Sequence, residues 1–203
     1  MPTTAYSDGS RQGKRTKVLQ AARWLFNRVG YQTVSVDTIR TRAGVTKATV
    51  FRHFPSKDVL VSEAIATHIH DVEDELAQAI NHQTTPLAKI RAIFDWYDAL
   101  FHGDDFHGCM FMHAAAEYRR RHDEITHLLQ AQKDSMCSAF SHLLQSGGME
   151  IETATMLGRT LCMLLDGAMV QAETCDNRDA AKEAWYATSH LLRSHGFMAG
   201  DEG

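Results

Sequence analysis

Proline and glycine are scarce in this sequence, with 3 Pro and 13 Gly in 203 residues. An all-β sandwich needs a turn about every 8–12 residues, so this composition argues against one. The longest apolar run, Leu161–Leu165, has five residues, far fewer than the ~18 that a membrane-spanning helix requires. The segment Met1–Gln12 is polar and lacks the apolar stretch of a secretory signal. We therefore expect a soluble, cytoplasmic protein.

Metal-binding and disulfide motifs are also missing. The four cysteines are Cys109, Cys137, Cys162 and Cys175. They form no C-x-x-C pair and fit no zinc-ribbon spacing, so we expect free thiols in a reducing compartment. The 12 histidines offer no better pattern, since His68 and His70 would point to different faces of a helix. We predict no metal and no cofactor.

Charge is unevenly distributed along the chain, although the net charge is only −4. Residues 1–60 hold 11 Lys or Arg against 3 acidic residues, a balance of +8. Residues 61–203 hold 10 Lys or Arg against 22 acidic residues, a balance of −12. A basic N-terminal segment on an acidic body indicates that this segment binds a polyanion. Simple attraction between the two parts is the alternative.

Helical periodicity dominates the chain, and no segment alternates as a strand would. The predicted helices span 14–29, 36–43, 47 to the Phe54-Pro55 step, 56–81, Pro86 to the break at Gly103, 109–118, 123–145, 152–174 and 178–194. This pattern predicts an all-α fold of nine helices. We divide it into a disordered tail (1–12), a three-helix N-terminal module (13–56) and a larger all-α body (57–203).

The second and third predicted helices are joined by a tight turn at Ala43-Gly44-Val45. Two short helices with such a turn are typical of a helix-turn-helix. The residues after the turn are small or carry hydroxyl groups, apart from Lys47, and a recognition helix needs such an edge to enter the major groove. The alternative is a basic helical subdomain with no role in DNA binding.

Three stretches of this module, Val18–Tyr31, Ser35–Ile39 and Ala43–Lys57, resemble the TetR family of bacterial regulators. The resemblance implies a nine-helix architecture, in which 13–56 is the helix-turn-helix DNA-binding domain and 57–203 is a ligand-binding and dimerisation domain whose last two helices form the dimer interface. It also implies which residues bind operator DNA. They are Ser35, Thr46, Lys47, Ala48, Thr49, Phe51, Arg52, His53 and Lys57. Two residues depart from the family pattern: Phe51 replaces a usual Tyr, and Arg40 replaces a usual small residue.

The segment 152–174 is apolar almost all round, because Arg159 and Asp166 are its only charged residues between Glu152 and Glu173. Such a helix is buried on more than one side, and the resemblance implies a homodimer through about 152–194 that binds a palindromic operator. Small residues that would permit close approach between subunits are Ala154, Gly158, Gly167, Ala168, Ala181, Ala184 and Ala187. The alternative is a core helix within one chain.

The resemblance also implies a small-molecule pocket in the body, for an apolar or aromatic effector. The candidate lining residues are Phe94, Tyr97, Phe101, Cys109, Met110, His113, Met136, Phe140, Met163 and Asp166. Aromatic and Met stripes at helical spacing also occur in plain cores. Asp166 needs a partner inside an apolar helix, either a cationic ligand or a structural hydrogen bond. Cys109 is either a buried apolar residue or a reactive thiol.

The function expected from these features is a homodimeric DNA-binding repressor that a small effector releases from its operator. One alternative is a repressor that senses oxidants or electrophiles through Cys109. A cytosolic enzyme using Cys109, His107 and Asp166 is a weaker alternative, because the sequence contains no catalytic fingerprint. An architectural DNA-binding protein that responds to no ligand is the third.

Overall fold

The computed structural model describes residues 5–119 and 122–197. Over these residues it contains nine α-helices and no strand, which confirms the predicted all-α fold. The helices are α1 (Ala5–Val29), α2 (Val36–Ala43), α3 (Lys47–His53), α4 (Lys57–Asn81), α5 (Pro86–His102), α6 (Met110–Tyr118), α7 (Asp123–Ser146), α8 (Ile151–Cys175) and α9 (Ala180–Ser194).

The first helix starts earlier than the sequence pattern predicts. Helix α1 begins at Ala5, so the prediction of a disordered tail is wrong for residues 5–12, and residues 1–4 lie outside the described part of the chain. Apolar periodicity starts only at Val18 and gives no signal for the preceding turns. Once a helix is nucleated, however, each residue added to its end gains one hydrogen bond, so extension is easier than nucleation.

Local capping explains why the short helices begin and end where they do. Ser35 Oγ accepts a hydrogen bond from the Thr38 N–H at 3.1 Å, and Thr46 Oγ1 accepts one from the Thr49 N–H at 3.2 Å. Both residues thus satisfy a free N–H group in the first turn of their helix. Gly44 ends α2 in the left-handed region, at φ +65°, where a glycine is unstrained.

The chain divides into two compact units. The first contains the described residues up to His70 together with Cys109–Leu129. Its core is built from α1 to α3, the start of α4, α6 and the start of α7. Phe26 stacks on Tyr31 with ring centroids 4.9 Å apart, and the Tyr118 ring meets Tyr31 edge-on at 5.8 Å. Our proposed boundary at residue 56 stays a prediction.

The second unit contains Asp71–Gly108 and the described residues from Gln130 onward. Helix α9 packs against both α5 and α8. Phe94 lies at the centre of an aromatic cluster, 5.5 Å from the ring of Trp185 and 6.1 Å from that of Phe140. In neither unit does a described helix combine the length and the apolar character needed to cross a membrane.

Candidate nucleic-acid interface

The α2–turn–α3 segment exposes mostly polar side chains at the start of α3, while Val50 of the same helix is buried. Val50 is 1% exposed, which fixes α3 to the core of the first unit. Of the nine residues predicted to contact DNA, most are exposed. The exposed ones are Ser35, Thr46, Lys47, Ala48, Phe51 and Arg52, while Thr49, His53 and Lys57 are half-buried. The fold therefore leaves this edge open to a ligand as large as a DNA duplex.

The Asp37 carboxylate connects α2 to α3. Its Oδ1 accepts a hydrogen bond from Arg40 Nε at 2.7 Å, and its Oδ2 accepts one from Lys47 Nζ at 2.9 Å. These hydrogen bonds, from Arg40 first and then Lys47, lower the pKa of Asp37. Arg40, which departs from the family pattern, therefore forms an ion pair at the helix surface. Asp37 is a residue that sequence reasoning missed.

Lys57 is attached to the turn between α1 and α2. Its Nζ donates to the Gln32 carbonyl at 3.0 Å, and burial lowers the pKa of its ammonium group. The Gln32 N–H donates in turn to Glu117 Oε2 at 2.6 Å, and the Tyr31 N–H donates to Glu117 Oε1 at 2.9 Å. A single carboxylate from α6 thus holds the turn beside which Lys57 lies. The sequence carries no signal for this role of Glu117, because Glu117 and Gln32 are 85 residues apart in the chain.

Met110, a predicted pocket residue, also takes part in this support. Its carbonyl accepts a hydrogen bond from the Tyr31 hydroxyl at 2.9 Å, and its side chain is 4% exposed in the core of the first unit. Cys109 and His113 belong to the same unit. Cys109 is the N-cap residue of α6 and makes no side-chain capping hydrogen bond.

A second cationic surface lies on α1 and the end of α2. The guanidinium group of Arg42 lies 3.3 Å from the centroid of the Trp24 ring, and that of Arg28 lies 4.2 Å from it. Beside this stack is an open cleft of about 660 Å³. Its lining residues are Lys17, Gln20, Ala21, Trp24, Arg42, Ala43 and Gly44. Cationic side chains in the first unit thus extend beyond the recognition edge.

The second unit exposes an apolar stripe on α8. Met156, Met163 and Val170 are 53%, 63% and 40% exposed, and their spacing of seven residues places them along one line of the helix. Tyr186 on α9 is 67% exposed. Exposed apolar surface of this extent marks an interaction site. Met163 was a predicted pocket residue, but such exposure suits a contact between molecules better than an enclosed cavity.

The small residues of α8 and α9 divide into two groups. Gly167 and Ala187 are exposed and remain available for close approach by another chain. The others are buried within the chain: Ala154, Gly158, Ala168, Ala181 and Ala184. A Cβ on Gly158 would lie 2.9 Å from the Cys137 carbonyl oxygen and 3.0 Å from the Ser141 nitrogen. Gly158 therefore allows α7 and α8 to approach each other, not two subunits.

Most remaining pocket candidates lie in the aromatic core of the second unit. Phe94, Phe101 and Phe140 are at most 1% exposed, and Tyr97 packs edge-on against Phe101 at 6.0 Å. Met136 is half-buried on α7. Asp166 has a partner within the chain, because its Oδ1 accepts a hydrogen bond from Lys133 Nζ at 2.5 Å. A structural ion pair thus accounts for this carboxylate.

One group of possible metal ligands occurs in the described residues of the second unit. Ligand atoms of Asp98, His102 and Asp179 lie within 4.8 Å of one another. Lys182 Nζ lies 2.8 Å from Asp179 and 3.7 Å from Asp98, and its hydrogen bond lowers the pKa of Asp179. The lysine is thus ion-paired with both carboxylates, of which Asp98 is half-buried and Asp179 exposed, so the group resembles an ion-pair network more than a metal centre.

Comparison with known proteins agrees with this geometry. The model of bacterial regulatory proteins of the tetR family matches residues 18–64. The model of the C-terminal domain of LmrA/YxaF-like transcriptional regulators matches residues 86–184. Together they match 146 of the 203 residues. The chain belongs to the TetR family of transcriptional regulators. It is therefore a DNA-binding regulator with a helix-turn-helix, from a family of proteins that are not enzymes.

Full-length relatives support the assignment of this TetR-family chain. SCO4454, a TetR-family regulator from Streptomyces coelicolor, superimposes with a TM-score of 0.85 at 25% identity, covering 90% of this chain and 96% of that one. The transcriptional activator FasR of Mycolicibacterium smegmatis is 24% identical over 89% of this chain and 85% of its own length. The regulator LmrA of Bacillus subtilis is 22% identical over 80% and 88%.

Proposed function

We propose that this TetR-family regulator is a homodimeric repressor that binds a palindromic operator and is released by a small apolar or aromatic effector. The domain division at residue 56 and the nine DNA-contacting residues form part of this proposal. The observation that carries it is that the same chain has an exposed α3 edge in one unit and an exposed apolar stripe on α8 in the other.

The recognition edge supports contact with DNA through both phosphates and bases. Lys47, Arg52 and Lys57 supply the cations that bind phosphate oxygens and position a protein on the duplex. Thr46 and Thr49 present hydroxyl groups for base edges, and the Ala48 methyl suits contact with the thymine methyl. Phe51 is 41% exposed and lacks a hydroxyl, so its contact in the groove would be apolar.

The apolar stripe supports a dimer about a two-fold axis. Met156, Met163 and Val170 extend over 14 residues of α8, or roughly 21 Å. Packing this stripe against its copy, with Tyr186 beside it, would remove four of the five large exposed hydrophobic side chains of the described α8 and α9 from water; the fifth is Ile151. Two-fold symmetry would then place two recognition helices about one DNA turn apart, roughly 34 Å.

An effector would act by binding one conformation of the dimer better than the other. The aromatic core around Phe94, Phe101 and Phe140 supplies the apolar lining such a ligand needs. A ligand that prefers the conformation with the wrong half-site spacing lowers operator affinity by that preference. Because the FasR relative carries the name of an activator, activation by the same DNA-binding module is the second candidate.

Selection of bound duplexes from a random DNA pool, with the full-length protein at near-physiological salt, tests the proposal. We expect a palindrome with half-sites separated by about one helical turn. Recovery of no motif by a folded, dimeric protein would contradict it. The selected duplex then serves to screen apolar and aromatic compounds for release. A compound that the protein binds and that strengthens operator binding would favour the activator.

A further inference from the structure

Helices α7 and α8 hold two cysteines at a place where their backbones come close together. Gly158 on α8 lies against the Cys137 carbonyl and the backbone of Ser141 on α7. Farther along the same pair of helices, Lys133 on α7 is ion-paired with Asp166 on α8, with 2.5 Å between Nζ and Oδ1. Both contacts lie inside the second unit.

These two contacts fix the register of the antiparallel pair. On α7, Lys133, Cys137 and Ser141 are spaced four residues apart and share one face of the helix. On α8, the same spacing relates Gly158, Cys162 and Asp166. Ser141 faces Gly158 at one end and Lys133 faces Asp166 at the other. The residues midway between these contacts, Cys137 and Cys162, therefore face each other.

The side chains confirm what the register requires. Burial raises the pKa of the Cys162 thiol together with Cys137, its hydrogen-bonding neighbour, so the two thiol groups lie within reach of each other. Cys162 is 2% exposed, whereas Cys137 is half-buried, so solvent reaches the pair from the Cys137 side. Cys175 lies 13 residues beyond Cys162 on the same helix, roughly 20 Å along its axis, and Cys109 belongs to the first unit.

We propose that Cys137 and Cys162 form a redox-active dithiol that a peroxide oxidises to a disulfide joining α7 to α8. Helices that approach closely enough to require a glycine bring facing positions into the separation range of disulfide-bonded residues. The sequence pattern gave no indication of this pair, because the two residues are separated by a helix-to-helix turn and match no motif.

The reaction has two steps. The sulfur of Cys137 attacks one oxygen of hydrogen peroxide, the O–O bond breaks, and a sulfenic acid and one water form. The sulfur of Cys162 then attacks the Cys137 sulfur, the S–O bond breaks, and a second water leaves as the disulfide forms. Two thiols lose two protons and two electrons to one peroxide. A thiol reductant reverses the change.

Burial and the hydrogen bond from its neighbour raise the pKa of the Cys162 thiol. Cys162 is therefore protonated near neutral pH, and the thiolate that performs the second step becomes more abundant as the pH rises. The disulfide should then form faster in alkaline than in neutral buffer. At lower pH, the sulfenic acid on Cys137 should persist long enough for dimedone to trap it.

The test uses the full-length protein, reduced and then treated with hydrogen peroxide. We expect each chain to lose two hydrogens, peptide mapping to join Cys137 to Cys162, and dithiothreitol to restore both thiols. Closing a loop of about 25 residues should raise Tm by roughly 5–10 °C. A cross-link through Cys109 or Cys175 in place of this pair would overturn the proposal.

Variants separate the pair from the other thiols. Cys137→Ser should abolish the peroxide-dependent rise in Tm, whereas Cys175→Ser, at an exposed position of α8, should keep it. Cys162→Ala should leave a Cys137 sulfenic acid that dimedone labels, which does not depend on the stability of that variant. Sulfinic acid on Cys137 beside a Cys162 thiol that stays reduced in the wild type would also contradict the proposal.

Discussion

The two units of this molecule leave different kinds of surface exposed. The first unit stacks its exposed Trp24 ring against the guanidinium groups of Arg42 and Arg28, and Arg52 follows the exposed Phe51 in sequence. The second unit is acidic in its sequence, yet it exposes three apolar side chains, Met156, Met163 and Val170, along one line of α8. Cationic side chains around small polar groups are suited to binding a polyanion such as DNA, whereas exposed apolar side chains are suited to binding another protein surface. This difference is what our proposal uses to assign DNA binding to the first unit and dimerisation to the second.

The largest effect is expected from a charge introduced into the apolar stripe of α8. Met163→Glu should convert the dimer to monomers, because burying a carboxylate against apolar side chains costs several kcal/mol. We expect the dissociation constant of the dimer to rise at least about 100-fold, which corresponds to roughly 3 kcal/mol. Sedimentation equilibrium measures this change, and operator binding should be lost with it.

Val29→Glu provides the matched control, since Val29 is 49% exposed on α1 of the first unit. That variant should dimerise as the wild type does. A Met163→Glu protein that stays dimeric at the same concentration would show that α8 uses another face. The exposed stripe would then need a different partner.

Sequence reasoning located these surfaces unequally, and for physical reasons. The short helices α2 and α3 were predicted correctly because caps such as Ser35 and Thr46 act within three residues of their targets. The role of Gly158 was predicted incorrectly. A small residue that permits two helices to approach has the same sequence pattern whether the second helix belongs to the same chain or to a partner. Glu117 escaped notice because it acts 85 residues away in sequence, on Gln32.

Gly158→Ala tests the close approach of α7 and α8 with the next largest effect. An added methyl group would collide with the Ser141 side chain and with the Cys137 carbonyl. We expect the free energy of unfolding to fall by about 1–3 kcal/mol, measured by urea denaturation. Gly13→Ala is the control, because a Cβ there meets nothing within 4 Å and should stabilise α1 by up to ~1 kcal/mol.

Lys57→Ala sharpens the assignment of the first unit as the one that binds DNA. If Lys57 contacts a phosphate, its loss should weaken binding to all duplexes alike and reduce the slope of log affinity against log salt by about 1. Thr49→Ala should instead change the relative affinities of different sequences. Lys89→Ala, on α5 of the second unit, should change neither quantity. A Lys57→Ala protein with an unchanged salt slope would remove this residue from the interface.

Asp37→Asn should have the smallest effect, and its sign is informative. The carboxylate lies beside the recognition edge, holds Lys47 at 2.9 Å and is itself an anion that would face phosphates. Neutralising it frees Lys47 and removes a repulsion, so affinity for random duplexes should rise a few-fold, with a salt slope steeper by up to about 1. Asp123→Asn, at an exposed position of α7 in the same unit, is the control for net charge.

Lowering the pH should not neutralise Asp37 in the way that Asp37→Asn does. Hydrogen bonds from Arg40 and Lys47 hold the pKa of Asp37 below its usual range, so the carboxylate stays charged as buffer is acidified from about pH 8 to about pH 5. Any gain in wild-type affinity over that interval must come from other groups, such as histidines that become cationic. If Asp37→Asn lowers affinity for the operator while leaving random duplexes unchanged, Asp37 instead accepts a hydrogen bond from a base edge, as a carboxylate can from cytosine.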